Sequence, residues 1–297
     1  MKLGIIGAGV MGRNHLRAAK AAPDITLVSV TDADSQSGET AAREFDCALL
    51  SADALIGKID AAIIAVPTTV HAAFAVSLLQ AGIHCLVEKP LAANAADCDA
   101  IIAAAANSGA TLQVGHIERF NPAVETLFAA GIPSQLLQKI AARRFNPGSA
   151  RIKDVDVVVD LMVHDIDVVL ALKRDVEVTK VMARGNADEV EAILTFADDC
   201  VASLVASRTI QDRVRALDVA LPDGVLQVNY LTRTARFQHG DHYHALPNVR
   251  DGDPIANQLA DFAKCIREKL TPRVTGPDGL AVMDIAWRIQ KAYGATP

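Results

Sequence analysis

A glycine-rich turn near the start of the sequence constrains the fold more than any other feature. Gly7-Ala8-Gly9-Val10-Met11-Gly12 follows the short apolar run of residues 3–6 and opens a stretch with helical character. In this context the first glycine permits a tight turn, the second lets a pyrophosphate approach the backbone, and the third allows close packing of the helix. The free N–H groups at the helix N-terminus then favour phosphate. The motif therefore predicts a dinucleotide-binding βαβ unit.

A second element of this fingerprint is Asp32, which lies twenty residues beyond Gly12 at the end of the next β-type run. A carboxylate at this place accepts hydrogen bonds from ribose hydroxyls and repels a 2′-phosphate. The sequence therefore predicts NAD as the cofactor, with NADP as the less favoured alternative.

The remaining pattern divides the chain into two domains. In residues 1–117, strands that are apolar on both faces alternate with helices, which predicts a doubly wound parallel sheet, the Rossmann fold of the α/β class. Runs with partial period-two alternation fill residues 176–237, and short turns containing Gly, Asp or Asn separate several of them. This pattern predicts an antiparallel meander in a second, α+β domain over residues 118–297, whose last helix packs back on the first domain.

Composition and charge exclude several function classes. The chain has a net charge of -6 and no basic block, so it carries no electrostatic footprint for nucleic acid or an anionic membrane. No apolar run approaches the roughly 18 residues of a spanning helix. The five cysteines show no spacing typical of a disulfide framework or a zinc site. We therefore expect a cytoplasmic protein with reduced thiols and no metal.

Two groups of side chains carry candidate chemistry. Glu88-Lys89-Pro90 ends a buried strand, at the edge of the predicted sheet where ligands bind. Asp160 and His164 are four residues apart, so they share one face of a helix, and Asp167 lies near that face. An imidazole beside a carboxylate is a candidate general base. Two alternatives stay open at His164: a structural role, and metal ligation by this trio.

These motifs, in this order, resemble the Gfo/Idh/MocA oxidoreductases. The resemblance rests on the glycine turn, Val66-Pro67-Thr68 with His71, Glu88-Lys89-Pro90, Gly115-His116, and the helix of Asp160 and His164. It implies a C-terminal domain with an open, predominantly antiparallel sheet and a homodimer or homotetramer built on that sheet. It also implies that Lys89 is the catalytic lysine, His164 the catalytic histidine and Asp160 its accompanying aspartate. The residues predicted to bind the cofactor are Gly7, Gly9, Val10, Met11, Gly12, Asp32, Pro67, Thr68, His71, Glu88 and Lys89.

Three segments, residues 114–122, 142–144 and 160–167, further resemble the branch that oxidises the 3-hydroxyl of UDP-N-acetylglucosamine to a ketone. In that branch a partner aminotransferase, dependent on pyridoxal phosphate, converts the ketone to an amine used in lipid A. The residues predicted to bind the substrate are Lys89, Arg119, Asn121, Arg144, Asp160 and His164. A diphosphate needs cations, and the candidates are Arg119, Arg143, Arg144, Arg151 and Lys153. In the alternative interpretation, most of these five side chains are solvated surface charges that bind no ligand.

The expected reaction removes hydride from a carbinol carbon while a base removes the hydroxyl proton. His164 is the first candidate for the base and Lys89 for the hydrogen-bonding electrophile, although the two roles can be exchanged. Two other functions remain open: oxidation or reduction of a free sugar, inositol or related polyol, and NAD(H) sensing without turnover. The cationic cluster argues against the first, and the presence of Lys89, Asp160 and His164 together argues against the second.

Overall fold

The computed structural model describes residues 1–147 and 155–294. The chain forms two compact units, and each is assembled from two segments. The first unit consists of Met1–Ile117 and Asp253–Leu280, and the second consists of Glu118–Gly252 and the chain from Ala281 onward. The segment Asp253–Leu280, which lies within the predicted second domain of residues 118–297, groups with the first unit.

The first unit contains a parallel sheet of six strands in the order β3-β2-β1-β4-β5-β6. The strands are β1 (Lys2–Ile6), β2 (Thr26–Thr31), β3 (Ala48–Leu49), β4 (Ala61–Ile64), β5 (His84–Glu88) and β6 (Leu112–Gly115). The helices are α1 (Val10–Ala21), α2 (Ser35–Phe45), α3 (His71–Gln80), α4 (Ala95–Ser108) and, from the later segment, α7 (Pro254–Glu268). The predicted Rossmann fold is confirmed.

The strand order of this sheet creates a place for a ligand. β1 pairs with β2 on one side and with β4 on the other, so the direction of winding reverses beside β1. In open parallel sheets ligands bind outside the carboxyl ends of the strands at such a reversal. Every residue of β4 is buried, as expected for a strand covered on both faces.

The second unit contains a sheet of eight strands in the order β14-β13-β12-β11-β7-β10-β9-β8. The strands are β7 (Lys139–Phe145), β8 (Val178–Gly185), β9 (Glu189–Phe196), β10 (Val201–Ser207), β11 (Val214–Leu221), β12 (Gly224–Asn229), β13 (Thr234–His239) and β14 (His242–Leu246). The β7–β10 pair is parallel, whereas the other pairs are antiparallel. The helices are α5 (Pro122–Ala129), α6 (Val163–Leu172) and α8 (Gly276–Tyr293), and α8 starts within the residues of the first unit. The predicted α+β architecture with a predominantly antiparallel sheet is confirmed.

The two faces of this second sheet differ in exposure. Ile140, Leu204 and Leu217 belong to the core of the unit, together with Ile166 of α6 and Ile289 of α8. On the opposite face, the register partners Met182 and Ile193 are 43% and 38% exposed. The sheet therefore keeps one open side.

Length and polarity rule out membrane crossing for the helices within residues 1–147 and 155–294, since none has an apolar stretch long enough to span a bilayer.

Candidate active site

The glycine turn has the shape that a pyrophosphate requires. Gly7 has a φ of 102°, and a Cβ added there would lie 2.3 Å from the Ala65 carbonyl oxygen. A Cβ at Gly12 would lie 1.8 Å from the Gly7 carbonyl oxygen. At Gly9, by contrast, an added Cβ would meet no atom within 4 Å. The turn thus has no room for a side chain at Gly7 or Gly12 and is open at Gly9, directly before the first N–H groups of α1.

Asp32 lies beside this turn. Its Oδ2 accepts a hydrogen bond of 2.6 Å from the Ala8 N–H, and its Oδ1 accepts one of 2.8 Å from the Asp34 N–H. Asp34 has a different task, since its carboxylate accepts from the Ser37 N–H and caps α2. Hydrogen bonds from the backbone N–H and the side chain of Ser37 lower the pKa of Asp34. The open space at Gly9, directly before α1, fits the diphosphate of a dinucleotide.

His71 connects two loops at the carboxyl edge of the same sheet. Pro67 and Thr68 follow β4, and a short 3₁₀ turn leads from them into α3. His71 begins α3 and is buried, with Nε2 2.9 Å from the Val66 carbonyl oxygen and Nδ1 3.0 Å from that of Pro90. The ring therefore ties the loop after β4 to the loop after β5. Lys89, half-buried, lies in the second of these loops, directly after Glu88.

In the second unit, Asp160 and His164 lie at the start of the α6 region. A π-helical turn, Val158–Met162, precedes α6 and contains Asp160, and His164 follows in the first turn of α6. π-turns of this kind often occur at functional sites. Arg208, which is not among the residues predicted from the sequence motifs, contacts Asp160 Oδ2 through Nε and Nη2 at 3.2 and 3.1 Å. It follows β10, and an aspartate within the otherwise apolar turn Val158–Met162 is the sequence signal that such a cation is needed.

Asp167 does not accompany this pair as the helical spacing suggests. It is fully buried, and both of its oxygens accept hydrogen bonds from Arg119, at 2.7 and 3.0 Å. The π-turn and the packing of α6 decide which side chains share a face, and neither can be read from a four-residue interval.

Arg119, Arg144 and Asn121, predicted to bind substrate, lie inside the second unit. Arg144 is 1% exposed and donates to both oxygens of Asp165, at 2.8 and 2.9 Å, and to Glu118 at 2.9 Å. Burial alone would lower the pKa of Arg144, but the charges of Asp165 and Glu118 raise it, so the guanidinium stays cationic. Arg119 and Arg144 therefore neutralise acidic residues on α6 within the protein.

Asn121 is also buried and acts as a helix cap. Its Oδ1 accepts from the Ala123 N–H at the start of α5, and its Nδ2 donates to Glu118 and to the Tyr230 carbonyl oxygen. Of the other candidate cations, Arg143 is half exposed and paired with Asp218 at 2.8 Å, whereas Arg151 and Lys153 lie outside the described residues. The sequence pattern identifies the charged residues but not the partners that bury them.

Comparisons with known proteins identify a family model and several relatives that match this chain. The Gfo/Idh/MocA model, described as an oxidoreductase family with an NAD-binding Rossmann fold, matches residues 1–116. UDP-N-acetylglucosamine 3-dehydrogenase from Acidithiobacillus ferrooxidans is 33% identical to this chain, over 99% of this chain and 98% of that protein. A solved structure of the GnnA UDP-N-acetylglucosamine 3-dehydrogenase from the same organism has a TM-score of 0.92 at 32% identity, and the match covers 99% of this chain and 97% of that one.

A more distant relative acts on a different kind of alcohol. Inositol 2-dehydrogenase from Rhizobium meliloti is 26% identical, over 96% of this chain and 94% of that protein. The glycine turn, the strand order and the similarity over the whole length lead to one conclusion: this chain belongs to the Gfo/Idh/MocA family of oxidoreductases.

Proposed function

We propose that this protein oxidises the 3-hydroxyl of UDP-N-acetylglucosamine to a ketone, with NAD as the acceptor. The observation that carries the proposal is the full-length similarity to the Acidithiobacillus enzyme, in sequence and in fold. The carboxylate of Asp32 beside the glycine turn favours NAD over NADP, because a 2′-phosphate would meet a negative charge there.

The proposed mechanism divides the work among three side chains. NAD, when bound, accepts the hydride that leaves the carbinol carbon. His164 takes the proton of the hydroxyl group, and Lys89 donates a hydrogen bond to the oxygen as negative charge develops on it. Asp160, which Arg208 holds by two contacts, orients the imidazole of His164 and stabilises its protonated form.

The ketone product is expected to be the substrate of a second enzyme. A 3-keto sugar is a substrate for an aminotransferase dependent on pyridoxal phosphate, and we propose such a partner, supplying an amino sugar for lipid A. Since oxidation of an alcohol by NAD is unfavourable at equilibrium near neutral pH, removal of the ketone would pull the reaction forward. We place this reaction in the cytoplasm, where NAD is available.

We also propose that the chain forms a homodimer or homotetramer through the open face of the second sheet. The exposed pair Met182 and Ile193 supports this interface, because exposed apolar side chains that adjoin each other favour association. Light scattering of the purified protein measures the oligomeric state, and a monomer at micromolar concentration would contradict this part of the proposal.

The structure also favours a second candidate, dehydrogenation of a cyclic polyol such as an inositol. The cations that argue for a diphosphate in the sequence include Arg119 and Arg144, and both are committed to buried carboxylates. Within residues 1–147 and 155–294, these two arginines are therefore not the cations that would hold a diphosphate, and the support for a nucleotide sugar comes from the relatives.

Absorbance at the NADH band distinguishes these functions. The protein is mixed with NAD and UDP-N-acetylglucosamine, N-acetylglucosamine or myo-inositol, with an aminotransferase and an amino donor present to remove ketone. We expect NADH only with the nucleotide sugar, and we expect its loss in Lys89→Ala and His164→Ala but not in Lys58→Met, which changes an exposed lysine. Turnover of the unphosphorylated substrates alone would favour the polyol, and NAD binding without any turnover would indicate a sensor.

A further inference from the structure

A buried polar pair joins the helix of the glycine turn to the strand that precedes Lys89. His15 lies on α1, and its Nε2 is 2.7 Å from Glu88 Oε1 at the end of β5. Both residues are buried, with His15 0% and Glu88 6% exposed. Among residues 1–147 and 155–294, Nδ1 of His15 has no hydrogen-bond partner. The contact with Glu88 is therefore the polar link that this imidazole makes within the described chain.

The second oxygen of Glu88 reaches the next residue. Oε2 accepts a hydrogen bond of 3.2 Å from the main-chain N–H of Lys89. Gly115 of β6 pairs with Glu88, and a Cβ added there would be 3.0 Å from Oε2 and 2.8 Å from the Glu88 Cα. The Gly115-His116 motif thus has a steric explanation, because β6 needs a residue without a side chain beside Glu88.

The carboxylate of Glu88 is kept charged despite its burial. Burial raises the pKa of Glu88, but the hydrogen bond and charge of His15 and the charge of Lys89 together hold it below its usual range. A buried ion pair is often no more stabilising than apolar residues of the same size. The pair lies one residue before Lys89, and its carboxylate contacts the main chain of Lys89, so it also bears on the position of that residue.

We propose that His15 is a positioning residue for Lys89 and acts through Glu88. By donating to Oε1 it fixes the carboxylate, whose other oxygen holds the main chain at Lys89 and whose negative charge attracts the lysine ammonium. The arrangement also makes the orientation of Lys89 depend on α1, the helix whose N-terminus faces the proposed cofactor. This inference rests on the proposed function only in giving Lys89 a role in the reaction.

Three substitutions on α1 test the proposal. His15→Leu removes the donor at similar size, and His15→Gln keeps an N–H donor near the position of Nε2. Leu16→Ala truncates the buried neighbour and keeps the His15 side chain that contacts Glu88. We expect His15→Leu to lower kcat at least tenfold while KM for NAD stays within twofold, and His15→Gln to retain kcat within threefold. Leu16→Ala should lower Tm and leave kcat within twofold. A His15→Leu enzyme that is folded and has the kcat of the unsubstituted protein would overturn the proposal.

A measurement without substrate separates failure of this inference from failure of the proposed function. Trace acetylation with acetic anhydride, followed by mass spectrometry, reports the reactivity of Lys89 relative to exposed Lys58. Without His15, Glu88 is no longer held charged and the Lys89 ammonium loses its neighbour, so we expect relative acetylation to rise at least threefold in His15→Leu and not in His15→Gln. If His15→Leu does not fold, Gly115→Ala, which crowds Glu88 from β6, should give the same rise. An unchanged ratio in the folded variant would overturn the inference.

Discussion

At the scale of single residues, the contacts of Arg144 distinguish a structural role from a role in binding the substrate diphosphate. Its guanidinium is buried and makes three hydrogen bonds to Asp165 and Glu118. A side chain committed in this way supports α6 from inside the protein, whereas a ligand of the substrate diphosphate would present its donors to solvent.

Arg144→Met tests this difference. Removing one partner of a buried ionic network leaves carboxylates uncompensated, which costs about 3–5 kcal/mol of unfolding free energy. We expect a lower Tm by calorimetry, with a change in KM for the nucleotide sugar of less than about threefold, or ~0.7 kcal/mol. The matched control is Arg143→Met on the opposite face, whose exposed pair with Asp218 contributes about 0–1 kcal/mol. An unchanged Tm with a tenfold rise in KM would identify Arg144 as a phosphate ligand instead.

At the scale of elements, two glycines of the turn between β1 and α1 have different roles, one in cofactor binding and one in stability. Gly9 has a φ of -67°, which any residue can adopt, and a side chain there would enter open space. Gly12 has no such freedom, because its added Cβ would overlap the Gly7 carbonyl. The missing side chain thus leaves space for a ligand at Gly9, whereas at Gly12 it permits the close packing of the turn itself.

Gly9→Ala and Gly12→Ala should therefore fail in different ways. We expect Gly9→Ala to keep its Tm but to bind NAD at least tenfold more weakly, a loss of about 1.4 kcal/mol or more. Gly12→Ala overpacks the turn, which costs about 1–3 kcal/mol, and its Tm should fall by several degrees. Calorimetry and NAD titration by fluorescence measure both quantities. Full NAD affinity in Gly9→Ala would show that the pyrophosphate does not cross this turn.

The elements also show what the sequence can and cannot predict. The parallel strands are recognisable because a strand buried on both faces, such as β4, is apolar throughout. The consecutive hairpins of the second sheet are recognisable from alternation and turn residues. The insertion of β7 between β11 and β10 depends on pairing between residues far apart in the chain, which no local pattern encodes. The same holds for His15, whose partner Glu88 lies 73 residues away.

At the scale of the whole molecule, the proposed catalytic groups are divided between the two units. Lys89 belongs to the first unit, together with the glycine turn and Asp32, whereas Asp160 and His164 belong to the second. The first unit carries the parts that a dinucleotide requires and the second carries the proposed base. Each unit has its own core, so a substitution within one is expected to leave the packing of the other unchanged.

Transfer of deuterium tests the central claim most directly. The protein is incubated with NAD and UDP-N-acetylglucosamine that carries deuterium at C3 of the sugar, and the reduced cofactor is examined by mass spectrometry. The account predicts that the NADH formed is heavier by one mass unit and that the sugar nucleotide becomes the 3-keto compound. Formation of unlabelled NADH would contradict it, and so would intact UDP-N-acetylglucosamine with no NADH formed while a parallel incubation with NAD and myo-inositol does produce NADH.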